Sequence, residues 1–192
     1  MDLEIILALA AFLVLVALFL IVLRRASQSL GETRQTVAFR HDVADIHERV
    51  DGELAALAAF VGPLRTPVSD LPDSEDSTAV VATTQEAVVW ARDRVRGLTP
   101  PLGLEDARTV FMDELARADE ALRSLEHGFA ILSTVPAEGR ALEGRTAIKR
   151  GYLRIVHARE GLGAESRRVA AWRSAGEQGL IARRQARTDH RM

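Results

Sequence analysis

The sequence predicts an all-α protein: a single N-terminal transmembrane helix followed by an antiparallel four-helix bundle with coiled-coil-like seams. Three observations predict it. One unbroken apolar run stands near the N-terminus, the rest of the chain carries apolar residues at helical spacing, and proline clusters cut that pattern into segments of similar length.

The run Ile5 to Leu23 is 19 residues of apolar side chains, closed by Arg24 and Arg25. As a helix it spans roughly 28 Å, close to the thickness of a bilayer's hydrocarbon core. A cleaved signal peptide fits poorly, because Asp2 and Glu4 replace the basic leader and Arg-Arg stands where small cleavage-site residues belong. A soluble core helix fits poorly too, since the run has no polar stripe. Residues 1–26 are therefore expected to be an anchor with a short outer N-terminus. Arg24 and Arg25 flank the membrane on the C-terminal side, with Arg34 and Arg40 beyond, and the N-terminal flank holds no basic residue. The positive-inside rule then puts the N-terminus outside a single-pass cell-membrane protein and the C-terminal domain in the cytoplasm.

Residues 27–175 are expected to form the bundle, with helices near 30–64, 76–98, 104–133 and 140–174. In the first, Phe39, Val43, Ile46, Val50, Leu54, Leu57, Val61 and Leu64 recur in steps of three and four. The anchor can run on into it, with Gly31 the place for a bend. Pro67 and Pro72 mark the following loop, with Asp73 or Ser74 as the next N-cap. The second helix has a thinner face of Val80 or Val81, Thr84, Val88, Ala91, Val95 and Leu98, ended by Pro100-Pro101. The third carries the strictest seam: Leu104, Arg108, Phe111, Leu115, Ala118, Leu122, Leu125, Phe129 and Leu132. The fourth has Leu142, Ile148, Tyr152, Ile155, Leu162, Val169 and Trp172, starting near Pro136 or near Gly144. Its glycines at 151, 161 and 163 each cost up to about 1 kcal/mol of intrinsic helix stability. An extended coiled coil with other copies is the alternative architecture. The prolines, which reverse the chain at matched intervals, favour the folded-back bundle.

Composition narrows the function classes. Net charge is −2, which gives no electrostatic ground for nucleic-acid binding. There is no cysteine, so disulfides, thiolate catalysis and cysteine-ligated zinc are excluded. Lys149 is the one lysine among 25 Lys and Arg residues, a bias expected of a GC-rich, bacterial genome. No His has Glu three residues before it, so the di-iron pattern of helical bundles is missing. The pairs His41/Asp45 and His47/Asp51 lie off the apolar face. Neither a nucleophile elbow nor a phosphate loop is present. The chain is read as no enzyme, with no cofactor and no small-molecule requirement.

Two charged stretches stand out. Asp70, Asp73, Glu75, Asp76 and Glu86 form an acidic segment. Residues 176–192 form a basic tail, in which Arg183, Arg184 and Arg187 are expected to contact anionic lipid beside Leu180 and Ile181. The layout of an N-terminal anchor followed by a helical bundle is similar to that of LemA-type membrane proteins, in layout alone and with no motif to carry over. The first functional expectation is a membrane-tethered, non-enzymatic interaction or scaffold module that binds a protein partner or self-associates. The second is a sensory or ligand-binding bundle, for which Thr84, Arg108 and Arg159 are the candidate core polar groups.

Overall fold

Apolar side chains at intervals of three and four can be buried only if helices lie side by side, and that is the arrangement found in the computed structural model of the chain. It describes residues 2–65, 74–134 and 138–173, with the side chains of 2–14, 17, 21–32, 65, 74, 75, 134, 138 and 139 outside the description. Helix α1 runs Asp2–Val61, α2 Ser74–Gly97, α3 Ala107–Thr134 and α4 Glu138–Ala171, with a short 3-10 turn at Pro63–Arg65. Every described element is helical. The fourth helix starts at Glu138, after Pro136 rather than at Gly144.

The chain divides into two units, Met1–Ala38 with Arg173–Met192, and Phe39–Trp172. The second unit is the bundle. Its helices are all antiparallel to their neighbours, as the contacting pairs show. Asp51 and Arg40 on α1 meet Arg159 and Trp172 on α4. Arg49 on α1 lies over Trp90 on α2, while Asp42 and Ile46 share a groove with Gly97 and Leu98. Arg92 on α2 reaches Asp119 on α3. Asp106, just before α3, and Glu120 on α3 meet Arg168 and Arg154 on α4. Residue numbers rise along one helix as they fall along the next, which is the up-down-up-down order that short connections impose.

The core holds the α1 stripe from Phe39 to Val61, then Val81, Val88, Ala91 and Val95 of α2, Leu104 to Leu125 of the third seam, and Ile148, Ile155, Leu162 and Val169 of α4. Leu142 departs from its expected place and is exposed. Phe129, Leu132, Tyr152 and Trp172 pack at the core's margin.

The α3/α4 hairpin has a second seam. On α3 it is Ala107, Glu114, Ala121 and Gly128. On α4 it is Gly144, Gly151, Ala158 and Glu165. Both recur every seven residues. A Cβ added at Gly128 would lie 2.7 Å from Ile148 Cγ1 and 2.9 Å from the Gly144 carbonyl oxygen. One added at Gly151 would lie 2.7 Å from Leu125 Cγ and 3.0 Å from the Ala121 carbonyl oxygen. Distances of that size mean the two backbones are in contact, so the glycines that weaken α4 alone are what let it pack here.

Among the described residues no helix is long and apolar enough to cross a membrane. The anchor expected at Ile5–Leu23 thus has no support from the fold and rests on the sequence. The side chains of Arg24 and Arg25, the acidic residues 70 and 73, and the tail with Arg183, Arg184 and Arg187 lie outside the described residues.

Candidate functional site

The three polar groups expected to meet in the core do not converge. Thr84 is buried on α2, where its hydroxyl donates to the Val80 carbonyl at 2.9 Å, one turn back along its own helix. Arg108 is exposed, and Ala107 takes the buried place beside it. The turn before α3 sets this phase: helix begins only at Ala107, after Gly103 with its positive φ of 89°. At Gly103 the backbone N–H donates to the Glu105 carboxylate at 2.9 Å, holding that carboxyl below its ordinary range. Arg159 is half-buried on α4 and forms a bidentate pair with Asp51 of α1, at 2.9 and 3.1 Å. That hydrogen bond holds the Asp51 carboxyl below the usual carboxylate range, against a smaller opposing effect of burial.

Sequence reasoning missed three buried acids, Glu114, Asp119 and Glu165. Glu114 lies against Gly161, where a Cβ would stand 2.5 Å from the Glu114 carboxyl carbon. One of its oxygens accepts from Arg117 at 2.6 Å, and the other is buried without a partner. Asp119 accepts from Arg123 and lies 3.6 Å from Arg92. Glu165 accepts from Arg168 at 2.6 and 2.8 Å, and Arg168 also donates to Asp106 at 2.9 Å. These carboxylates raise the pKa of the Arg168 guanidinium, and the Arg168 hydrogen bond lowers that of Asp106. The available signal was the seven-residue spacing, which puts Glu114 in line with Ala107 and Ala121, and Glu165 in line with Gly151 and Ala158.

None of these acids is arranged to hold a metal: among the described residues no cluster of three or more His, Asp or Glu side chains occurs. The Glu165–Arg168–Asp106 set is a tie between α4 and the start of α3. A second tie stands beside it, where Arg40 of α1 donates to the Trp172 carbonyl at the end of α4. The Trp172 ring packs on Gly103, where a Cβ would come within 3.0 Å. The first turn of the bundle's share of α1 and the end of α4 thus meet at one end of the bundle.

Among the described residues, depressions open on the bundle surface along α2. One, of about 450 Å³, is lined by Ala82, Gln85, Glu86, Val89 and Trp90. Arg49 covers the Trp90 ring from α1 at 4.1 Å. Another, of about 220 Å³, is the groove bounded by Asp42, Ile46, Asp93, Arg94, Gly97 and Leu98. Neither is lined by Thr84, Arg108 or Arg159.

The fold and its surface define a class, a four-helix bundle continued from a long N-terminal helix and without a convergent polar site among the described residues. Comparison with protein-family models, with characterised proteins and with solved structures finds no match to this chain.

Proposed function

We propose that the protein is a membrane-tethered, non-enzymatic interaction module, anchored by residues 5–23 and presenting the bundle to a protein partner. The observation that carries this reading is the unbroken apolar run Ile5–Leu23. The exposure of Leu15, Leu18, Phe19 and Leu20 on α1 supports it. Leu18, Phe19 and Leu20 are successive residues, about 100° apart around the helix, so apolar surface faces several directions at once. Water penalises such exposure at about 25 cal/mol per Å², and hydrocarbon does not. Arg24 and Arg25 set the orientation, with the C-terminal domain on the cytoplasmic side of the cell membrane. Trp172, which precedes the basic tail in sequence, accepts through its carbonyl from Arg40 of α1. Arg183, Arg184 and Arg187 are accordingly proposed to contact anionic headgroups. The ligand-binding alternative needs polar groups around a shared cavity, and the scattered positions of Thr84, Arg108 and Arg159 lend it no support.

The test combines alkaline extraction of membranes with in-cell photo-crosslinking from exposed bundle positions such as Val89. The expected result is a chain that resists extraction and is captured on a discrete protein. Release by the alkaline wash overturns the tether, and a chain that captures no protein from any exposed position overturns the interaction module.

A further inference from the structure

We infer that the outward face of α4 from Leu142 to Leu153 is a docking stripe for an acidic amphipathic helix of another protein. This deepens the interaction-module reading and rests on it. Leu142 is 71% exposed and Leu153 45% exposed. They are eleven positions apart, which is about 20° around the helix and about 16 Å along it. Thr146 and Lys149, both exposed, lie between them. The steps of four, three and four repeat the spacing of a helix-packing seam on the side of α4 turned away from the core.

Several cations elsewhere on the bundle are tied to acids. Arg92, Arg123, Arg154, Arg159 and Arg168 each have a carboxylate partner. Arg145, Lys149 and Arg150 have none among the described residues, and Glu143 is the only acid between 140 and 157. In the isolated bundle the two leucines are left to solvent, with Arg145, Lys149 and Arg150 beside them. A partner helix with apolar residues on its axis and Asp or Glu on its flanks satisfies both features together. A second copy docking through the same face would oppose Arg145, Lys149 and Arg150 to themselves, so like charge excludes it. A bare anionic bilayer would take the cations, but nothing in its chemistry asks for leucines at seam spacing.

The test uses the full chain in non-ionic detergent and a labelled synthetic heptad peptide with Leu along its seam and Glu on its flanks, read by fluorescence anisotropy. The expected result is binding that weakens with salt and is absent for the same peptide flanked by Lys. Arg145→Gln, Lys149→Gln and Arg150→Gln together should weaken it at least about tenfold, equivalent to about 1.4 kcal/mol. Leu142→Gln with Leu153→Gln should do the same, while Arg96→Gln on α2 leaves it unchanged and circular dichroism verifies that each variant stays helical. Equal binding of both peptides, or a triple variant that binds as the native chain does, overturns the proposal. So does a result in which the Glu peptide never binds and the triple variant loses affinity for phosphatidylserine-doped micelles, which would assign the face to lipid. Cellular crosslinks that persist in the triple variant would overturn this face while leaving the interaction module standing.

Discussion

Across the α3/α4 seam the helices meet through glycine and alanine, with Gly128 against the Gly144 carbonyl and Gly151 against that of Ala121. Around α1 they meet through long side chains: Asp51 reaches Arg159, and Arg49 lies on the Trp90 ring. The first interface is filled by backbone and has no slack for an extra atom. The second is bridged by chains that can shift, and Gly52, on the exposed side of α1, has nothing within 4 Å of an added Cβ. Glycine in this bundle therefore has two meanings that helix propensity cannot separate.

The largest effect tests the side chains that fill the gaps between the glycines. Leu125 is fully buried and packs on Gly151, so Leu125→Ala should lower stability by about 2–5 kcal/mol in urea unfolding of the full chain. A loss under about 0.5 kcal/mol would mean that the α3/α4 seam is not part of the folded core.

The same substitution made in the two regions gives the sharpest contrast. Gly151→Ala should destabilise by about 1–3 kcal/mol, because α3 must retreat from the new methyl group. Gly52→Ala should stabilise by about 0.5–1 kcal/mol, because the site is open and alanine holds the helix better. Thermal unfolding read by far-UV circular dichroism should place the two melting temperatures on opposite sides of the native one. Equal signs would erase the distinction between a glycine in backbone contact and one open to solvent.

The smallest effect concerns the α1/α4 pair. Asp51 and Arg159 are each about a third exposed, so solvent screening limits the pair to about 0.2–1 kcal/mol. The Arg159 hydrogen bond holds the folded Asp51 carboxyl below its unfolded value. The stabilisation is therefore fully present above about pH 4 and is lost as pH falls through the depressed folded value. Asp51→Asn should cost stability at pH 7 and converge on the native chain in strong acid. A difference that is the same at both pH values would show that the lost contact is steric.

Much of the architecture was legible because large apolar side chains mark buried faces without ambiguity. Each of Phe39, Val43, Ile46, Val50, Leu54, Leu57 and Val61 is buried, at the spacing that identified it. The third helix was legible from Phe111 to Leu125, and its phase failed only at Arg108, before the helix has completed a turn. The small-residue seam was not legible because hydropathy counts what is large. Gly144 and Gly151 register as weak points until an opposing backbone is beside them, and the sequence alone does not place one there. The same blindness hid Glu114 and Glu165, which read as members of a solvated face. Of the candidate polar site, Arg159 was expected as a core polar group; it is half-buried, and its partner Asp51 lies 108 positions away in sequence, a separation that no local pattern spans.

The contact between Arg40 and the Trp172 carbonyl fixes how the bundle bears load. Arg40 and Trp172 meet at one end of the bundle, so a tension applied between these two residues acts on the last turn of α4 first. It peels α4 from α1 a turn at a time, with Arg40 and then Asp51–Arg159 as successive teeth of a zipper. A load applied instead along the whole length of two helices would shear every contact at once and meet far greater resistance. The far end, where the 3-10 turn at Pro63–Arg65 packs on α4, is mechanically silent until that zipper has opened.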